Sequence, residues 1–341
     1  MKVAMYYSPK DIRIENMPNP KIGPGEILVE MKACGICGSD LMEWYLRKRT
    51  PLVLGHEPTG IVAEAGGQVK GFEVGDRVFV HHHVACLVCH YCIHGDYTMC
   101  EEFGRTHIQP GGFSQYFRVP APNLTRDTLK IADNLSFEEA TLIEPIACCI
   151  RALRKCNIQI GDTVAIIGVG PSGIVHAMLS RYFGAGRVIV SDLIDYRLKA
   201  AKGLGSDLTV NPQEESLAEK VREVTDGRGA DLVIVTAPNL KALADGIKVC
   251  RRGGTLCLFA PLQPKEQTKI SPYRLFFSEI TLIPSYSTSH VETRMALEML
   301  ISGKLYVREL ITHVFPLSRV MDAFKTAAEG KECLKVVVSN E

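Results

Sequence analysis

The rhythm of apolar and polar positions changes along the chain. From Thr163 to Ile167 the residues are mostly β-branched and apolar, as in a strand covered on both faces. Ile174, Val175, Met178, Leu179, Tyr182 and Phe183 then recur at helical intervals until Gly184 stops the helix. A second short run, Arg187 to Val190, leads to an acid, Asp192. Strand-like DLVIV at 231–235 is followed by helix-like NLKALADGIKVC, then by GGTLCLF and EITLIPS. This alternation predicts an α/β, doubly wound parallel sheet over residues 150–285.

Before residue 80 the pattern is different. Short β-type runs (Ile27 to Met31, Gly60 to Ala65, Arg77 to Val80) are separated by turns rich in Pro and Gly. The stretch GGFSQYFRVP is again strand-like, and NLSFEEATLIEPIACCIRALRK turns helical after a cap at Asn134 or Ser136. Pro145 is expected to interrupt that helix and turn Glu144 out of its ladder. Glu144 lies among Leu142, Ile143 and Ile146, where an unpaired carboxylate is costly, so it needs a cation, a salt bridge or another strong donor. The last 50 residues alternate helix, strand, helix and the strand LKVVVS, a tail expected to return to the first domain. The resulting division is 1–149, 150–285 and 286–341, in keeping with 341 residues, too many for one ordinary core.

Chemistry enters between the first strand and first helix of the alternating region. Gly168, Gly170 and Gly173 have the G-x-G-x-x-G spacing, with Pro171 and Ser172 between them. The three glycines would serve a tight turn, a close backbone approach to a pyrophosphate and close helix–strand packing. Bound phosphates would sit at the positive end of the helix dipole. Asp192 follows Gly173 by 19 positions, the distance at which an acid meets ribose hydroxyls. A carboxylate there repels a 2′-phosphate and favours NAD over NADP. Arg197 could serve such a phosphate or lie against the adenine.

Twelve cysteines in a chain read as cytoplasmic argue against a disulfide framework. Cys86, Cys89, Cys92 and Cys100 fall within 15 residues, and four thiolates saturate a tetrahedral zinc in a closed, structural site. An Fe–S cluster also takes four Cys, but the bacterial ferredoxin pattern has a shorter last gap and a Pro that Met99-Cys100-Glu101 lacks. The nearby His81, His82, His83, His90 and His94 are read as solvated. Cys37 and His56 are a soft and a borderline donor that also suit Zn²⁺, with Glu57 adding a carboxylate.

Net charge is +1, so nothing in the overall balance recommends nucleic acid or an anionic membrane as a partner. No run of about 18 apolar residues occurs, and MKVAMYYSPKDIRIE has no apolar signal core. A soluble, cytoplasmic protein is expected.

Taken together, CGICGSD, GHE, the four-Cys loop, Glu144-Pro145 and GVGPSG resemble the zinc-dependent medium-chain alcohol and polyol dehydrogenases, including sorbitol and threonine dehydrogenases. The resemblance spans nearly the whole chain. It implies a Rossmann domain for NAD and a mostly β, GroES-like catalytic domain with a structural zinc loop. It further implies a catalytic zinc held at Cys37 and His56, with Glu57 and Glu144 completing or exchanging within the shell. Ser39 would then take the proton of a secondary alcohol or polyol, and Ser285 and Tyr286 would lie near the substrate. Two zincs per chain and a homodimer or homotetramer follow from the same likeness. Met42-Glu43 stands where sorbitol dehydrogenases have His-Tyr, and Ser285-Tyr286 where they have Arg-Tyr, so the substrate stays open. An L-threonine 3-dehydrogenase-like enzyme and a metal-binding relative without turnover are the alternatives.

Overall fold

The computed structural model describes residues 1–340. The chain divides into two compact units, one of Met1–Ala147 with Ser287–Glu341 and one of Cys148–Tyr286.

In the larger unit a seven-stranded sheet runs in the order Ile311–Pro316, Lys335–Ser339, Ile27–Gly35, Glu57–Ala65, Arg77–Val80, Thr128–Lys130, with Tyr116–Val119 also paired to Ile27–Gly35. Pairings are antiparallel except for the first two strands. Ile27–Gly35 is the centre of this sheet, and its sequence shows why. Seven of its nine residues are buried, whereas an edge strand would leave one side of its backbone unpaired. Gly35 pairs with Glu57 on one side and with Val337 on the other. The ends of three strands therefore meet just before Cys37. A smaller sheet, Asp11–Asn16, Lys2–Ser8 and Leu52–Val53, packs nearby. The C-terminal helix Val320–Glu329 closes this core, with Phe324 set against Tyr6 and Phe113.

The smaller unit holds a six-stranded sheet, all parallel, in the order Leu208–Val210, Arg187–Ser191, Thr163–Ile167, Ala230–Val235, Cys250–Leu258, Thr281–Pro284. Numbered along the chain that order is 3-2-1-4-5-6, the doubly wound arrangement of dinucleotide-binding sheets. Every residue of Thr163–Ile167 is buried, as its unbroken apolar run requires.

Two local expectations change. Pro145 does not interrupt a helix. It sits in the first turn of Ile143–Cys156, where no intrahelical partner is required of its missing N–H. The break comes earlier, after the short helix Phe137–Ala140, which Ser136 and Glu139 cap reciprocally. The second change concerns the histidines. His90 and His94 are exposed, but His81 and His83 are buried, and their Nδ1 atoms lie 2.7 Å from Asp127 Oδ2 and from the Thr106 carbonyl. Imidazole is apolar enough to be buried once one ring nitrogen finds a partner, which a sequence run of three histidines does not reveal.

Candidate active site and metal centres

Cys37 lies two residues past the central strand, and Glu57 opens its neighbour with His56 just before it. Their donor atoms all lie within 4.8 Å of one another. The short 3-10 turn Gly38–Leu41 brings Asp40 back beneath them. One oxygen of its buried carboxylate accepts from the Cys37 backbone N–H at 3.0 Å, and the other lies 3.3 Å from His56 Nδ1. With Nδ1 turned to Asp40, Nε2 is the nitrogen left for a metal. Burial opposes protonation of His56, but Asp40 and Cys37 outweigh it and raise its pKa well above the usual value.

Glu57 is fully buried, and its Oε2 accepts from Lys335 Nζ at 2.5 Å. Lys335, also buried, donates to the Ile36 carbonyl at 3.0 Å. Burial pushes the Glu57 carboxyl up, against the pull of Lys335 and His56. Burial opposes the charge on Lys335 in turn, yet Glu57 beside it holds its pKa above the ordinary value. Glu57 Oε1 is buried with no hydrogen-bond partner. An unpartnered carboxylate oxygen beside a thiol and an oriented imidazole suits a cation such as Zn²⁺. Glu144 is buried and close enough to raise the Glu57 pKa, but stands outside the group of three. Ser39 is half-buried on the same 3-10 turn, two residues after Cys37. Met42 is half-buried and Glu43 exposed just beyond it.

Two residues of this site escaped sequence reasoning. Asp40 is the last letter of CGICGSD, three residues after Cys37. Lys335 is the one charged residue in a strand otherwise made of Val and Ser, and a lysine buried in such a strand needs a carboxylate.

The sulfurs of Cys86, Cys89, Cys92 and Cys100 also lie within 4.8 Å of one another. Backbone N–H groups of Cys86 and Cys89 point at the Cys100 and Cys86 sulfurs, both at 3.3 Å. The Val88 N–H holds the Cys86 thiol down at about 7, while burial pushes Cys92 up to about 12. Four such sulfurs cannot all ionise at this spacing without a cation, and an all-thiolate shell fits zinc. Only Ala85, Cys92, Cys100 and Phe103 form the buried cluster here, too small a core to fix the loop alone.

In the smaller unit Gly168 adopts φ +96°, and Gly173 packs so tightly on it that a β-carbon there would run into the Gly168 carbonyl. Gly170, by contrast, faces open space bounded only by Arg197 Nη1, 3.9 Å from where its β-carbon would be. It directly precedes the helix Pro171–Tyr182, whose first turn includes Ser172. An opening at a helix N-terminus flanked by a guanidinium fits a pyrophosphate. Asp192 accepts from the Val169 and Ile194 backbone N–H groups at 2.7 and 3.0 Å, with Arg197 3.9 Å away. Ser285 is buried just after the last strand of this unit, and Tyr286 is 52% exposed.

The chain matches two family models, the alcohol dehydrogenase GroES-like domain over residues 23–129 and the zinc-binding dehydrogenase domain over 171–302. It is 35% identical to sorbitol dehydrogenase of Bacillus subtilis (strain 168), covering 99% of this chain and 97% of that one. The solved alcohol dehydrogenase TADH from Thermus sp. ATN1 superposes with a TM-score of 0.89 at 27% identity, covering 100% of both chains. A zinc-binding dehydrogenase from Sinorhizobium meliloti 1021, bound to NADP, does so at 0.87 and 28%, covering 99% of this chain and 98% of that one. Five sequence motifs, two sheets of the expected kinds and full-length likeness agree, and the chain belongs to the zinc-dependent medium-chain alcohol and polyol dehydrogenases.

Proposed function

We propose that this protein oxidises a secondary alcohol or polyol to the ketone, using zinc and NAD. The observation that carries the reading is the close set of Cys37, His56 and Glu57, with Asp40 fixing the imidazole and Glu57 Oε1 unpartnered. Cys37 and His56 would hold the zinc, with Glu57 or Glu144 completing the shell. When bound, zinc supplies Lewis acidity toward the substrate hydroxyl and NAD accepts the hydride. Ser39 Oγ, on the turn that starts at Cys37, receives the hydroxyl proton and passes it toward solvent. Lys335 keeps Glu57 from leaving the site by pairing with its other oxygen.

The unit of Met1–Ala147 with Ser287–Glu341 is the catalytic domain in this reading, and Cys148–Tyr286 binds the cofactor. NAD is preferred because Asp192 places a carboxylate at the end of the second strand. Arg197 and the NADP bound to the Sinorhizobium relative favour NADP as the second choice. Ser285 and Tyr286 are the proposed substrate neighbours from the cofactor domain. The four-Cys loop would hold the second, structural zinc. No helix among the described residues is long and apolar enough to cross a membrane, and Cys86, Cys89, Cys92 and Cys100 are grouped as metal donors, which suits a reducing cytoplasm. A homodimer or homotetramer is proposed. It is supported by the edge strand Thr281–Pro284 and the exposed Tyr273, Phe276 and Phe277 beside it.

The test is formation of reduced nicotinamide, followed by absorbance, across a panel of secondary alcohols, polyols and L-threonine. Turnover of alcohols or polyols with NAD is expected. Turnover of L-threonine alone would move the assignment to an amino-acid dehydrogenase, and none at all to a metal-binding relative.

A further inference from the structure

The histidine run after Arg77–Val80 does something its neighbours do not explain. His81 and His83 are each tied through Nδ1, to Asp127 and to the Thr106 carbonyl. His82 is not. Its ring centroid lies 5.0 Å from that of His56 and 3.9 Å from that of His83, and its Nδ1 is buried without a hydrogen-bond partner. The residue as a whole keeps part of its surface. Its backbone is clamped, since Asn123 Nδ2 donates to the carbonyls of both His81 and His82, at 3.0 and 2.9 Å. From His83 the row of rings continues to His107, 4.7 Å away and exposed.

The geometry points to His82 as a residue that reads a second hydroxyl of the substrate, next to the one oxidised. This rests on the dehydrogenase reading of the Cys37–His56–Glu57 site. An imidazole whose ring centroid lies 5.0 Å from that of a donor residue stands near whatever that donor set holds. A buried ring nitrogen without a partner costs free energy until a ligand supplies one. A hydroxyl can do so either as donor or as acceptor, whereas the alkyl chain of a simple alcohol can do neither. A site with an unpaired polar group rejects the analogue that lacks the matching hydroxyl.

The experiment uses a matched pair, butane-2,3-diol and butan-2-ol, which differ by that one hydroxyl. In the zinc-loaded protein with NAD, His82→Phe should lower kcat/KM for the diol roughly 10- to 100-fold and move the mono-alcohol by less than about 3-fold. His82→Gln keeps a donor and an acceptor and should recover much of the diol preference. Equal losses on both substrates, or a glutamine variant as indifferent as the phenylalanine one, would overturn the inference while leaving the dehydrogenase reading intact. Should His82→Phe not fold, judged by zinc content, His82→Leu reads the same split. A readout free of turnover is the thermal shift of the zinc-loaded protein on titration with the diol. If wild type turns over neither compound, the panel above still decides the dehydrogenase reading and the thermal shift decides the role of His82. A diol-dependent shift that His82→Phe abolishes would still support the role of His82, and a shift that is absent or unchanged would refute it.

Discussion

The two clusters of metal donors in the larger unit make an instructive pair. The four-Cys cluster is assembled from 15 consecutive residues, and its donors are all of one chemical kind. The other joins Cys37, His56 and Glu57, mixes sulfur, nitrogen and oxygen, and is propped by Asp40 and by Lys335, which lies 278 positions beyond Glu57. A closed, uniform shell suits a loop that needs a pin. An open, mixed shell with positioned supports suits a metal that must meet a substrate.

Parallel substitutions give that contrast its severest trial. Cys37→Ser should reduce turnover below detection and leave roughly one zinc per chain, with the fold retained. Cys89→Ser should instead unfold the loop and lower the melting temperature, since binding energy at a structural zinc is folding energy. Metal analysis and calorimetry on both variants check this. A Cys37→Ser protein that keeps two zincs, or a Cys89→Ser protein of full stability, would erase the distinction.

The next largest effect is expected at Lys335. Replacing it with Met leaves the Glu57 carboxylate buried with no cation of its own, and breaking one side of a buried pair costs about 3–5 kcal/mol. Adding Glu57→Gln should restore most of the lost melting temperature, because an amide is far cheaper to bury than an unpaired charge. A single variant as stable as wild type would mean that the lysine is only an accessory to the site.

How much of each cluster the sequence disclosed follows from this difference. Spacing alone marks Cys86 to Cys100, because the ligands are neighbours in the chain. The same holds for Gly168 to Asp192, where strand, turn, helix and acid succeed one another within one βαβ unit. Cys37 and His56 carry no such local pattern, and only the combination with other motifs brought them forward. Lys335 was invisible, for the register that sets its strand beside Gly35 is a property of the folded sheet. Pro145 was misread for a related reason. Proline inside a helix and proline in its first turn look alike until the start of the helix is known. The histidines at 81 and 83 misled because their partners, Asp127 and Thr106, are more than 20 positions away.

Asp40 supports the mixed cluster at one remove, so its loss should be milder. Asp40→Asn keeps the shape and removes the charge facing His56 Nδ1. Metal affinity or activity should fall about 10- to 100-fold, as for other partners of ligating histidines. Zinc titration against a competing chelator reads this directly. If only the four-Cys zinc loosens, the orientation assigned to His56 is wrong.

The smallest effect is expected at the contiguous site of the other unit, and it asks whether local legibility also means a simple role. Asp192 already accepts two backbone hydrogen bonds, from Val169 and Ile194, so it holds the glycine loop as well as any ribose. Asp192→Ala should weaken NAD roughly 10-fold through the lost charged hydrogen bond. NADP should lose less or even gain, because the carboxylate no longer repels its phosphate and Arg197 is freed from its acid at 3.9 Å. Fluorescence titration with both reduced cofactors measures the ratio. Equal losses would show that the acid acts only by shaping the loop. The part of this fold most plainly written in the sequence would then have been read for the wrong reason.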